Sequence, residues 1–116
     1  MSLAKKLNLK DGMQLRVIGR PEGVSLDDVD TTPSPLADGV LAFVRRLAEV
    51  DATCGPVLEA ARADRLAWVA YPKAGQLGTD LNRDKLWAHL QARGVEGVRQ
   101  VAIDEVWSAM RFRPGA

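Results

Sequence analysis

The chain has 116 residues, 47% hydrophobic and 27% charged, which predicts one soluble globular domain over 1–116 and leaves too few residues for two dependable cores. Sixteen Lys and Arg against fifteen Asp and Glu give a formal charge of +1, so no net field draws the chain to nucleic acid or to an anionic membrane. The single Cys54 and single His89 exclude an intramolecular disulfide and the Cys and His sets that most metal centres use, and a cytoplasmic protein with no metal and no cofactor is expected.

The first twelve residues carry Lys5, Lys6, Lys10 and Asp11 without an apolar run. Neither a signal peptide nor an anchor is expected there, and nowhere do roughly 18 apolar residues stand in line. Residues 14–19, QLRVIG, form a β-favouring run that stops at Pro21 and Gly23 and predict a first strand. Residues 24–38 hold Asp27, Asp28 and Asp30 with Pro33 and Pro35, a composition that predicts a mobile surface connection. The runs GVLAFV (39–44) and RLAWVAYP (65–72) lack alternation, which predicts strands covered on both faces, as in parallel sheets. Between them the chain has helical composition twice over, with Pro56 placed for the first turn of the second helix.

After the third strand, KAGQLGTDL leads to NRDKLWAHLQARG, where Leu86, Trp87 and Leu90 lie at helical spacing. Asn82 or Thr79 stands ready to cap this helix, and Gly94 ends it. Residues 98–114, VRQVAIDEVWSAMRFRP, read as two strands around Asp104 and Glu105, too close for a crossover and therefore antiparallel. The alternation predicts a three-layer α/β sandwich with a mostly parallel sheet and an antiparallel edge.

The phrases LAWVAYPK (66–73), TDLNRD (79–84) and VAIDEVWSAMRF (101–112), with VIGRPEG (17–23) and ADGVLAFV (37–44), resemble a bacterial family of small domains of unknown function over most of the chain. More distantly the chain is similar to the Rossmann-like methyltransferases, whose first strand enters a Gly-containing turn and whose sheet finishes in an inserted antiparallel hairpin. The likeness implies a small Rossmann-like sandwich whose five-stranded sheet runs first, second, third, fifth, fourth strand, with the fifth antiparallel. The chain departs from the methyltransferases at their cofactor. Gly19-Arg20-Pro21-Glu22-Gly23 separates two glycines by bulk and a proline, and the strand that would carry a ribose-binding acid is missing between residues 24 and 38. The resemblance therefore implies fold more than activity.

Open α/β sheets bind ligands where a strand's carboxyl end enters a helix, and here that loop is Tyr71 to Asp80. The first turn of the following helix offers unpaired N–H groups and the positive end of its dipole. An anion site there would use the charges of Lys73 and Arg83, close backbone approach at Gly75 and Gly78, and the Thr79 hydroxyl. The spacing is not that of a P-loop. The plainer alternative makes the glycines turn formers, Thr79 or Asp80 a helix cap, and Lys73 and Arg83 partners of water, Asp80 or Asp84. A secondary candidate is Trp107, Ser108 and Arg111: alternation puts Trp107, Ala109, Arg111 and Arg113 on one face and Ser108, Met110 and Phe112 on the other. Arginines beside a stacking indole suit phosphates and bases, whereas the alternative places Trp107 in the core and the guanidinium groups in water.

Trp68 and Trp87 are expected in the core, and His89 at the surface. None of Ser2, Ser25, Ser34 and Ser108 sits in a GxSxG turn. Cys54 reads as packing, and the three aspartates as a solvated loop without the spacing of a calcium site. Three classes of function follow. The first is a non-catalytic module that binds a small phosphate- or carboxylate-bearing metabolite at Lys73 to Arg83. The second is an interaction protein that uses a sheet edge or helix face to join a second copy or another protein. The third is a degenerate methyltransferase-like transferase, with Glu22, Asp80 or Glu105 as its base. Nucleic acid and membrane partners are not expected.

Overall fold

The computed structural model describes residues 2–26 and 28–115. Its elements are α1 (Leu3–Lys6), β1 (Leu15–Ile18), β2 (Gly39–Phe43), α2 (Leu47–Thr53), α3 (Gly55–Arg62), β3 (Leu66–Pro72), α4 (Arg83–Gln91), β4 (Val95–Ala102) and β5 (Trp107–Pro114). Local chemistry sets most boundaries. Pro56 opens α3, where a missing N–H costs nothing. Asn82 accepts from Lys85 N–H at 2.8 Å and caps α4. Gly94, at φ 89°, turns the chain out of the helix, so β4 starts at Val95, three residues earlier than the sequence suggests.

The strands form one sheet in the order β1-β2-β3-β5-β4. β1, β2 and β3 are mutually parallel, and β5 runs antiparallel to both β3 and β4. The order is the expected one, but the sheet is mixed and not mostly parallel. Inserting one reversed strand between β3 and β4 makes two of the four pairings antiparallel, so a C-terminal hairpin changes more of the sheet than its edge.

Both faces are covered, as the continuous apolar runs of β2 and β3 require. On one face Val40, Ala42, Val69, Tyr71, Met110 and Phe112 meet Val50 of α2, Val57, Ala60 and Ala61 of α3, and Leu86 and Leu90 of α4. On the other, Leu41, Phe43, Trp68, Trp107 and Ala109 meet Leu7, Val24, Leu26 and Val29. All helices longer than one turn lie on the first face, so the third layer is largely irregular chain. The segment 24–38 contributes buried side chains to that layer, and its Thr31 bridges to Leu15 beside β1. Trp68 is buried as expected, its indole N–H donating to the Leu7 carbonyl at 3.1 Å. Trp87 is not core: it is 36% exposed. The inward stripe of α4 is Leu86 and Leu90, one turn apart, and Trp87 stands to the side of it over Gly97 of β4.

Candidate functional site

The end of β3 carries the loop through two consecutive turns. Gln76 N–H donates to the Lys73 carbonyl at 2.9 Å and Thr79 N–H to the Gln76 carbonyl at 3.0 Å. Gly75, Leu77 and Gly78 take positive φ values of 81°, 54° and 65°, so the glycines serve backbone conformation. Nothing lies within 4 Å of where their Cβ atoms would be, and neither lines the pocket described below. Thr79 is committed elsewhere: its hydroxyl donates to the Arg45 carbonyl and accepts from Leu81 N–H at 2.9 Å. Asp80 accepts from Leu47 N–H at 2.9 Å, at the first residue of α2, so it supplies a distant cap for α2 while Asn82 caps α4.

Lys73 and Arg83 do come together, on the wall of an open pocket of about 380 Å³ at the carboxyl end of β3. Its floor is polar. Tyr71 and Ser108, paired across β3 and β5, both line it, as does Gln100 of β4. Gln100 Nε2 donates to the Tyr71 hydroxyl at 2.7 Å. Burial raises the Tyr71 pKa above its ordinary value, with Arg83 opposing and Asp84 adding, so the phenol keeps its proton and can donate it. Ser108 is only 5% exposed. Asn82 and Asp84, at the start of α4, complete the rim. The Arg83 guanidinium lies 3.3 Å from the Asp84 carboxylate, and both are largely exposed, so the pair is weak and breakable. Two cations and one carboxylate leave the rim with a single positive charge.

The secondary trio is divided among three surroundings. Trp107 is buried on the opposite face, edge-on to Phe43 at 5.2 Å between ring centres, and offers no face to a base. Ser108 joins the pocket above. Arg111 lines a second cavity at the other end of the sheet. Glu22 and Glu105 are exposed, and with Asp80 capping α2 the three carboxylates share no site. Asp27 lies outside the described residues; Asp28 accepts from Ala4 N–H and Asp30 from the Gln14 amide. Among the described residues no group of three His, Cys, Asp or Glu side chains could hold a metal ion, and no helix is long and apolar enough to cross a membrane. Burial raises the Cys54 pKa to about 12, with Asp51 adding, which makes the thiol packing and not a nucleophile.

Sequence reasoning missed Gln100 and Asn82 as pocket residues. Gln100 reaches the pocket only because β5 brings β4 to β3, a tertiary fact. A signal did exist for Ser108: it is the one polar residue on the strand face that carries Met110 and Phe112. No protein-family model matches the chain, and no curated protein matches it.

Proposed function

We propose that the chain is a binding module whose pocket between the end of β3 and the start of α4 takes a small phosphate- or carboxylate-bearing molecule without transforming it. The observation that carries the reading is a single pocket lined by both Lys73 and Arg83 together with the hydroxyl-bearing Tyr71 and Ser108. Lys73 and Arg83 supply positive charge, and an anion held between them would accept hydrogen bonds from the hydroxyls of Tyr71 and Ser108. The helix start contributes in the same direction. The strand order supports reading the sheet as a shortened Rossmann-like one, in which this position is the customary place for a ligand.

Titrating inorganic phosphate and following backbone amides by NMR tests this. Saturable shifts are expected at Ala74, Arg83 and Ser108, with a rise in melting temperature by mass action. Lys73→Ala combined with Arg83→Ala is expected to weaken binding at least tenfold, and Ser108→Ala severalfold. Shifts that are absent, or unchanged in the double variant, overturn the proposal. A second reading, interaction through the edge strand β4, draws on the exposure of Val98 (49%) and of the neighbouring Trp87. It predicts a molecular mass that rises with concentration in light scattering.

A further inference from the structure

We infer that a second site, at the opposite end of the sheet, binds a small amphiphilic carboxylate: an anionic head on Arg111 with an apolar tail toward Leu36. The cavity there measures about 580 Å³, within the range of about 300–1,000 Å³ usual for small-molecule sites. It lies between the N-terminal segment, the starts of β2 and β3 and the far half of β5. Its position relative to the first pocket follows from β5 running antiparallel to β3: Ser108 pairs with the end of β3, and Arg111 with Trp68 near its start.

Arg111 is the observation that asks for a ligand. It is partly buried, yet among the described residues its side chain makes no hydrogen bond and no ion pair, and its Nε is fully enclosed without a partner. Burial lowers its pKa, with Arg113 and Arg99 adding and Asp64 opposing. The two Nη groups of Arg111 are not enclosed in this way, and a carboxylate in the cavity would take two parallel hydrogen bonds from them, end-on. Lys10 and Arg65 stand on the same wall. Two carboxylates, Asp38 and Asp64, line the cavity as well. Asp38 accepts from Gln14 N–H at 2.8 Å and Asp64 lies 3.4 Å from Arg113 in an exposed, weak pair; against them Lys10, Arg65 and Arg111 leave the lining with one net positive charge. The remaining wall is apolar, formed by Met13, Leu36 and Leu66. Leu36 is 90% exposed at the rim, the largest exposure of any large apolar side chain described. A head group alone would leave that wall wet, and a hydrocarbon alone would leave Arg111 unpaired, so the matching molecule carries both.

Octanoate, acetate and octanol titrated separately into the full chain, with amide shifts as readout, separate head from tail. Octanoate is expected to saturate with shifts at Asn8, Ala37, Leu66 and Arg111, and to bind at least tenfold more tightly than acetate or octanol. Arg111→Gln is expected to weaken octanoate at least tenfold while leaving phosphate shifts around Lys73 intact, so this site and the first one stand or fall separately. Leu36→Ser, a surface change that does not threaten folding, is expected to weaken octanoate severalfold and leave acetate unchanged. Octanoate shifts that never saturate, that persist in Arg111→Gln, or that acetate reproduces at equal concentration overturn the inference.

Discussion

The two faces of the sheet are buried by different means. On one, three helices present side chains at helical spacing, and neighbours such as Val57, Ala60 and Ala61 reach the core together because one backbone carries them. On the other, Leu7, Val24, Leu26 and Val29 arrive separately from irregular chain. They are held by scattered backbone bonds, such as Leu15 N–H to the Asp30 carbonyl and Thr32 N–H to the Leu15 carbonyl, both 2.9 Å. A helical layer opens as a unit with the sheet, whereas an irregular layer can open locally around each anchor. The proposed second cavity lies where this irregular layer meets the sheet, with Asn8, Lys10 and Met13 in its wall.

The largest expected effect uses one aromatic from each face. Trp68 and Phe112 are both 0% exposed, and replacing either with Ala is expected to cost about 3–5 kcal/mol. The pattern of loss should differ. Trp68→Ala also frees the Leu7 carbonyl, so native-state hydrogen exchange should show Leu7, Leu9 and Val29 opening ahead of the rest of the molecule. Phe112→Ala should lower protection across the sheet and helices together. Uniform loss in both variants would erase the distinction between the faces.

A smaller effect compares two glycines. A Cβ on Gly39 would meet Leu66 Cβ at 2.6 Å, the Leu66 carbonyl at 2.7 Å and Leu15 Cδ2 at 2.9 Å, all on the irregular face. A Cβ on Gly97 would meet chiefly the Met110 sulfur at 2.9 Å, on the helical face. Backbone and Cβ atoms cannot step aside and a thioether can. Gly39→Ala is therefore expected to cost about 1–3 kcal/mol by overpacking and Gly97→Ala less, measured as denaturation midpoints. Equal midpoints would mean that the strand contacts yield as readily as a methionine.

The same contrast explains what could be read from the residues in advance. β2, β3, α3 and α4 follow from uninterrupted apolar runs, Pro56 and the Asn82 cap, which are local signals, and the strand order agreed with the expectation. The irregular layer carries no periodic signal: Val24, Leu26 and Val29 sit among aspartates and prolines, and only the finished fold shows where they point. Of the expected anion site, Lys73 and Arg83 meet, because they flank one loop. Thr79, Gly75 and Gly78 serve the loop itself, since the chain between them must turn twice and needs their backbone freedom and a hydroxyl to fasten it to Arg45. Ser108 and Arg111, three residues apart on one strand, end in different cavities because their side chains leave opposite faces of the sheet.

The smallest effect tests how far the helical face acts as a unit at its outer rim. Asp51 of α2 accepts from His89 Nε2 at 3.0 Å and from Arg93 Nη2 at 2.6 Å, joining α2 to the end of α4 and the residues just beyond it. The hydrogen bond from His89 is the main cause that holds the Asp51 carboxyl below its ordinary value of 3.8, with desolvation opposing and Arg93 adding. The folded chain thus binds fewer protons at this site than the unfolded chain does. The resulting stability is complete above the ordinary value and is lost as pH falls through the lower, folded value. Asp51→Asn should therefore be less stable than the parent in urea at pH 7, by less than either core pair because the site is exposed. The gap should narrow at pH 3, below the ordinary value, where the unfolded chain takes up a proton that the folded carboxyl resists. A gap that stays constant between those pH values would mean that the charge on Asp51 does not join the helices, leaving their shared apolar stripe to hold them.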